Sequence, residues 1–232
     1  MDLGFTVGAR RLGLASSIAT VVLTVAYAIT LVVGLATLPS PDAPIGDPMF
    51  TILEVLILAL MPAMVCLMVA LHAWASPGSR PVTLAAVVVM AMVAVVTCSV
   101  HFAVLTLSRT PTFAEQPWAP LLLSFRWPSV AYALDILAWD VFFPLSMFLA
   151  APALHGSRLA RGIRALMIAS GVLALAGLSG VVTGDMQLRN IGILGYVGVF
   201  LVVAALLFVL FYRALRRERE PRPCDSPRTS PS

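Results

Sequence analysis

The sequence predicts an all-α protein, a bundle of six transmembrane helices with both termini in the cytoplasm and an interfacial outer loop between the third and fourth helices. Three observations predict this fold. Hydrophobic residues make up 60% of the chain and charged residues 11%, and the mean hydropathy is +0.97, whereas soluble domains are about half apolar and a quarter charged. Six apolar runs approach or exceed the roughly 20 residues that cross a bilayer. Arg residues flank these runs in an alternating pattern.

The six runs are separated by charges, Pro or Gly, and together they make residues 1–212 a single membrane domain. We place the spans at roughly 13–37, 49–75, 81–107, 129–153, 163–184 and 190–212. The first run is longer than the 7–15-residue apolar region of a signal peptide, so we interpret it as a retained span. Pro62 and Pro144 lie inside the second and fourth spans and are expected to bend them.

The basic residues, all of them Arg, are distributed unevenly about the runs. Twelve fall on the side of the N-terminus, the 2–3 and 4–5 connections and the C-terminal tail, and three fall on the other side. The twelve are Arg10, Arg11, Arg80, Arg158, Arg161, Arg164, Arg213, Arg216, Arg217, Arg219, Arg222 and Arg228. The three are Arg109, Arg126 and Arg189. Because cytoplasmic loops are enriched in basic residues, this split predicts cytoplasmic termini, in a protein of the bacterial cytoplasmic membrane.

Two segments outside the spans have distinct compositions. Residues 213–232 are charged and Pro-rich, which predicts a disordered basic cytoplasmic tail. The outer loop, residues 108–128, carries Trp118, Phe125 and Trp127, and aromatic residues of this kind settle at membrane interfaces. We therefore expect either a flap over the outer face or simple interfacial anchoring.

Several functions are excluded or disfavoured. The chain has no Lys, so Schiff-base chemistry of the rhodopsin type is excluded. Its three Cys residues are scattered and include no CxxC pair, which predicts neither a disulfide framework nor a zinc site. We found no P-loop, GxSxG, HExxH or Rossmann glycine pattern. Since the basic residues form no face interleaved with aromatics, we expect no nucleic-acid partner, and we also expect no metal and no cofactor.

The candidate ligand or proton site consists of four ionisable residues inside the spans, namely Glu54, His101, Asp135 and Asp140. Charges in a bilayer are costly and tend to face a bundle interior or a wet cavity. With a rise of 1.5 Å per residue, the first three lie roughly 8–9 Å below the outer surface and Asp140 roughly 16 Å below it. A carboxyl group and an imidazole at one level could share a proton, although plain interhelical hydrogen bonding would use the same residue types. The catalytic residues, if any, stay unknown.

Helix geometry limits this cluster. Asp135 and Asp140 are five residues apart, about 140° around an α-helix, so we do not expect both to face one narrow cavity. The secondary outer-face candidates are Asp185, Arg189, Arg109 and Arg126. Asp185 and Arg189 could join the outer site or form a local pair at a helix start.

Small residues predict one close helix contact. The fifth and sixth runs carry three glycines each, namely Gly177, Gly180, Gly184, Gly192, Gly195 and Gly198. Small residues allow helix backbones to approach in lipid, which favours contact between spans 5 and 6 over a dimer face. The oligomeric state stays open.

Three segments carry a resemblance. They are SVHFAVLT at 99–106, WPSVAYALDILAWDVFF at 127–143 and GDMQLRNIGILGY at 184–196. With these segments, the layout resembles that of small six-span bacterial membrane proteins of unknown function. The resemblance implies an architecture but no activity and no catalytic residues.

Three functions fit these observations. The first is binding or transport of a small lipophilic or cationic ligand at a polar cavity in the outer leaflet. The second is an intramembrane enzyme that acts on a lipid or isoprenoid, with Glu54 or Asp140 as the proton donor; this rests on analogy. The third is a non-catalytic accessory subunit whose acids only hold the bundle together. The expected partners are the lipid bilayer and a small-molecule or lipid ligand, and whether the chain is an enzyme stays open.

Overall fold

A computed structural model describes residues 5–40 and 45–219, and within these ranges every regular element is a helix. In this part of the chain, six helices are long and apolar enough to cross a membrane. They are span 1 (Val7–Ala36), span 2 (Met49–Trp74), span 3 (Pro77–Leu107), span 4 (Val130–Ala153), span 5 (Arg158–Thr183) and span 6 (Met186–Arg216). The prediction of an all-helical chain with six spanning-length helices is confirmed, and the chain is a multi-pass helical membrane protein.

Spans 3 to 6 are built from shorter segments. Span 3 joins the 3₁₀ turn Pro77–Ser79 to the α-helix Arg80–Leu107. Span 4 joins an α-helix Val130–Ile136, a π-helix Leu137–Phe142, an α-helix Phe143–Ala150 and a 3₁₀ turn Ala151–Ala153. Span 5 joins Arg158–Ala176 to Ser179–Thr183. Span 6 joins Met186–Arg189, Asn190–Ile193, a π-helix Leu194–Val199 and the α-helix Phe200–Arg219. Two four-residue helices, Pro111–Ala114 and Ala119–Leu122, lie in the 3–4 loop.

Two helix starts differ from the predicted boundaries by five residues or more. Span 1 begins six residues before residue 13, because the hydroxyl of Thr6 caps it by accepting from the backbone N–H of Ala9. Span 5 begins five residues before residue 163, because Ser157 caps it in the same way through Ala160. The apolar run therefore marks the part of the helix in the membrane core, whereas the capping residue marks where the hydrogen-bonded helix begins.

The last helix continues through Arg219, so the first part of the predicted tail is helical. Residues 220–232, and with them the rest of the tail and Cys224, lie outside the described residues. The same holds for residues 41–44 of the 1–2 loop.

The spans contact one another in chain order, and span 6 returns to span 1, so the six form a closed ring. The aromatic rings of Phe5 and Phe211 lie 5.5 Å apart, which places the two described chain ends at one end of the bundle. We call the opposite end the distal end. The interior of the half near the chain ends is filled by fully buried side chains, among them Met64, Leu67, Met90, Met147 and Phe211.

Glycines bring spans 5 and 6 into close contact. A Cβ on Gly195 would lie 2.7 Å from the carbonyl oxygen of Ser170, and a Cβ on Gly177 would lie 3.2 Å from the Cα of Gly192. Ser170 also donates a hydrogen bond to the carbonyl of Gly195 at 2.9 Å. Gly198 and Gly184 have no atom within 4 Å of such a Cβ, so only some of the glycines serve this contact.

Candidate functional site

A cavity of about 620 Å³ occupies the distal half of the ring. Its walls come from spans 1, 2, 3, 4 and 6 and from the 3–4 loop. Its ionisable lining inside the bundle consists of Glu54, His101, Asp135 and Arg189, whereas Asp47 and Arg126 lie nearer its mouth. Its aromatic lining consists of Tyr27, Phe50, Phe125, Tyr132, Trp139 and Tyr196. The volume lies within the range of small-molecule sites.

Glu54 and His101 meet on one side of the cavity. Span 2 positions Glu54, which is 4% exposed, and span 3 positions His101, which is 7% exposed. The two side chains form a hydrogen bond between Nδ1 of His101 and Oε2 of Glu54, at 2.8 Å. The structure thus brings together two of the four candidate residues, from helices that are neighbours in the ring.

Asp135 stands between His101 and Arg189. Its Oδ1 lies 3.6 Å from Nε2 of His101, a distance of electrostatic attraction rather than of a hydrogen bond. Its Oδ2 accepts a hydrogen bond from Nη2 of Arg189 at 2.7 Å. Asp135 therefore links the imidazole of span 3 to the guanidinium of span 6.

Arg189 is a buried cation with two carboxylate partners. Besides its bond to Asp135, its Nε donates to Oδ2 of Asp140 at 3.0 Å. Its guanidinium also lies over the ring of Tyr132, 4.5 Å from the ring centre. Asp140 is fully buried, and such a charge persists in a low-dielectric interior only with a counter-charge.

As expected, Asp135 and Asp140 do not both line the cavity, since only Asp135 does. The two acids nevertheless bind the same guanidinium, which their separation of about 140° did not predict. The expectation assumed an unbroken α-helix, but Leu137–Phe142 forms a π-helix in which Phe143 N–H bonds to the carbonyl of Ala138. An i→i+5 hydrogen bond widens the turn, so that residues five apart come close to one face. Pro144 follows directly, and since it has no N–H it cannot bond to the carbonyl of Asp140, as an α-helix would require.

The second oxygen of Asp140 contacts backbone. Its Oδ1 is buried and has no hydrogen-bond partner among the described residues. A Cβ on Gly177 would lie 2.7 Å from this oxygen, and a Cβ on Gly192 would lie 2.6 Å from it. Each glycine therefore leaves free the space that Oδ1 needs, and a side chain at either position would clash with this oxygen.

The 3–4 loop covers part of the cavity. Leu123, Ser124, Phe125 and Arg126 line it, and the ring of Phe125 stacks on the imidazole of His101 with 4.7 Å between ring centres. Ser129 caps span 4 and donates to the carbonyl of Ser124, which ties this end of the loop to the helix. The flap interpretation and the interfacial interpretation of this loop both stay predictions.

A smaller polar group lies at the cavity mouth. Asp47 Oδ1 accepts from the Thr51 hydroxyl at 2.6 Å and from Nη2 of Arg109 at 2.7 Å. Nη2 of Arg109 also donates to the Thr51 hydroxyl at 2.7 Å, and its guanidinium lies over the Phe50 ring. These bonds hold the pKa of Asp47 below its ordinary value, chiefly through Thr51 and then through Arg109.

Of the other two secondary candidates, Arg126 borders the cavity and Asp185 does not. Arg126 is exposed and lines the cavity. Asp185 does not pair with Arg189, which turns inward; its Oδ1 instead accepts from the backbone N–H of Gln187 and caps the start of span 6. The local Asp185–Arg189 pair is therefore wrong, because the two buried acids of span 4 bind the guanidinium.

Most of the aromatic lining of the cavity was not predicted from the sequence. Trp139 and Tyr196 lie on the two π-helices and stack with 5.0 Å between ring centres. The buried ion pairs of Arg189 could have been suspected from the sequence, because Arg189 is one of only three Arg residues on the side poor in basic residues. A buried cation of this kind requires acidic partners, and span 4 carries two.

Comparison with protein-family models, with curated protein sequences and with solved structures found no match to this chain. Within the described ranges, the acidic, His and Cys side chains form no group of three or more arranged to hold a metal ion.

Proposed function

We propose that this chain is a bacterial cytoplasmic-membrane protein, with both termini in the cytoplasm, that binds a small lipophilic cation in its distal cavity from the outer face. The observation that carries the proposal is the excess of acid over base in a buried cluster that borders an aromatic cavity. The lipid bilayer and one organic ligand are its partners in this proposal.

The charge of the cluster supports a cationic ligand. Three carboxylates, of Glu54, Asp135 and Asp140, face one guanidinium, of Arg189, and one imidazole. The net charge is −1 when the imidazole of His101 is protonated and −2 when it is neutral. A buried site with a net negative charge is stabilised by a cation that brings the missing counter-charge.

The walls support an organic cation rather than a small hydrated ion. Aromatic faces attract cations, and more strongly where water is excluded, and the cavity is lined by six aromatic rings. Its volume suits a ligand of drug size. Leu53, Ile57, Leu60 and Leu31 add apolar surface, which favours a ligand with apolar groups around its charge.

The orientation rests on the distribution of Arg. Twelve of the fifteen Arg residues fall in the N-terminal segment, the 2–3 and 4–5 connections or the C-terminal tail of the sequence. The positive-inside rule then turns the distal end outwards. In this arrangement the cavity opens away from the cytoplasm, and the packed half of the ring separates it from the cytoplasmic side.

Equilibrium binding to the purified protein in detergent tests the proposal, with tetraphenylphosphonium and tetraphenylborate as probes of similar shape and opposite charge. We expect the cation to bind at least tenfold more tightly than the anion. Glu54→Gln should remove most of this preference, because it deletes a negative charge at the cavity wall without a change of size. Asp185→Asn is the matched control, since it neutralises an exposed acid at the same end and Asn still caps the helix.

Three outcomes would contradict the proposal. One is equal binding of both probes, and a second is equal loss of cation binding in Glu54→Gln and Asp185→Asn. The third is binding of the neutral isoprenoid alcohol farnesol in place of the cation, which would favour the intramembrane enzyme.

A further inference from the structure

His101 is held between two carboxylates, one at each ring nitrogen. Nδ1 lies 2.8 Å from Oε2 of Glu54, and Nε2 lies 3.6 Å from Oδ1 of Asp135. A neutral imidazole carries one N–H and one lone pair, so it can present a proton to only one of these carboxylates. The other would face a lone pair unless a further proton were present. The geometry therefore suits one additional proton, shared among the three groups.

Two cations, Arg189 and Arg126, lie among the charged groups around the imidazole, and only Arg189 is buried. The titratable and charged groups that face it or its partners are Glu54 on span 2, Asp135 and Tyr132 on span 4, Arg189 on span 6, Tyr27 on span 1 and Arg126 of the loop. Arg189 is already bound to Asp135 and Asp140. Glu54 thus depends on the imidazole for its positive partner.

A ligand cation in the cavity would compete for that same partner. Glu54 lines the cavity and is also the hydrogen-bond partner of His101. A cation next to Glu54 neutralises the carboxylate and repels a proton on the adjacent imidazole, since two positive charges a few ångströms apart in a low dielectric oppose each other strongly. Proton and ligand therefore weaken each other's binding.

On the basis of the proposed function, we infer that the cavity exchanges its ligand for a proton: entry of one organic cation releases the shared proton of the Glu54–His101–Asp135 group to water. Before exchange the buried group carries the proton and a net charge of −1. After exchange the ligand cation has taken its place, the proton is in the solvent, and the net charge is again −1. The net charge of the buried site is therefore the same before and after the exchange.

Because of this exchange, the pH difference across the membrane controls whether the cation is bound or released. An acidic medium at the distal face favours the protonated site and expels the cation, whereas a more alkaline medium favours the loaded site. The chemistry is that of a proton-coupled site for organic cations, and Phe125, stacked on the imidazole, covers the exchanging group.

Calorimetric titration of the wild-type protein with tetraphenylphosphonium at one pH, in phosphate and in Tris, tests this inference. The two buffers differ in their heat of protonation, so a released proton appears as a difference between the measured heats. We expect a release approaching one proton per bound cation near neutral pH. The dissociation constant should also fall with rising pH, at most tenfold per pH unit for one exchanged proton.

Two His variants complete the experiment. His101→Gln should bind the cation with a pH-independent affinity and release no proton. His72→Gln is the matched control, because His72 lies at the other end of span 2, bonded to the Thr83 hydroxyl at 2.8 Å, and it should keep the wild-type behaviour. The wild-type measurement decides the question even if His101→Gln does not fold.

The possible failures are distinguishable. If tetraphenylphosphonium does not bind at any pH, the proposed function is wrong and the exchange fails with it. If it binds with equal heats in the two buffers and with an affinity that does not change with pH, the binding function stands and the proton exchange is overturned.

Discussion

Arg189 donates from Nε to Oδ2 of Asp140 at 3.0 Å, and this bond joins the start of span 6 to the π-helical turn of span 4. The same guanidinium reaches Asp135, one turn nearer the distal end. Both bonds are buried, so a single cation compensates two acids where water cannot. The acids of the buried cluster on span 4 and the π-helical turn between them therefore meet at this residue.

Arg189→Met should destabilise the fold by about 3–5 kcal/mol, because it leaves two buried carboxylates without their counter-charge. Chemical unfolding in detergent micelles, followed by circular dichroism, measures this change. Arg109→Met is the control, since its pair with Asp47 is exposed and screened by water. A similar loss in the two variants would contradict the central role of Arg189.

Gly192→Ala should destabilise the fold by about 1–3 kcal/mol, the usual cost of overpacking. Its new Cβ would lie 2.6 Å from Oδ1 of Asp140, and so the carboxylate or the helix must move. Gly198→Ala, six residues along the same span, meets open space and should leave stability unchanged or raise it slightly. Thermal unfolding compares the two, and equal melting temperatures would show that the glycine contact with Asp140 is unimportant.

The hydrogen-bonded group of Asp47, Thr51 and Arg109 at the cavity mouth should make the stability of the fold depend on pH under acidic conditions. The pKa of Asp47 is lower in the folded protein than its ordinary value of 3.8, chiefly because the Thr51 hydroxyl binds the carboxylate and also because Arg109 does. The group therefore stabilises the fold fully above that value, and the contribution is lost as the pH falls below 3.8 and through the folded pKa.

Melting temperatures of the wild type and of Asp47→Asn, measured from pH 2 to pH 6, test this dependence. The wild type should keep a small advantage above pH 4 that disappears at the acidic end, since the exposed pair is screened. Thr51→Val should shrink the advantage, because it removes the hydroxyl and keeps the shape. A constant difference over the whole range would exclude the coupling.

The orientation can be tested by labelling single cysteines in a variant in which Cys66, Cys98 and Cys224 are replaced by Ser. A membrane-impermeant maleimide should label Asp185→Cys in intact cells, because residue 185 lies in the exposed distal turn. His155→Cys, in the exposed turn between spans 4 and 5, should react only after permeabilisation. The reverse pattern would place the cavity on the cytoplasmic side.

Part of the site could be predicted because it depends on helix order and depth alone. Glu54 and His101 lie at similar depths on consecutive spans, and a short connection makes such spans neighbours. The pairing of Arg189 with Asp135 and Asp140 could not be predicted in this way. It depends on how the six spans pack into a ring and on which residues of span 4 face span 6. A regular 3.6-residue period predicted that Asp135 and Asp140 do not share one narrow cavity, but it could not predict that both bind Arg189, because the π-helix interrupts that period.

The sequence by itself determined the number of spans and their approximate positions, since each must fill the bilayer with apolar side chains and satisfy its own backbone hydrogen bonds. It also placed Glu54, His101, Asp135 and Asp140 within the spans. Only the tertiary structure decided that these four and Arg189 form one connected group beside a cavity. The reason is physical: hydropathy records how deep a residue lies in the membrane, whereas the direction of its side chain depends on local helix winding and on packing against other spans.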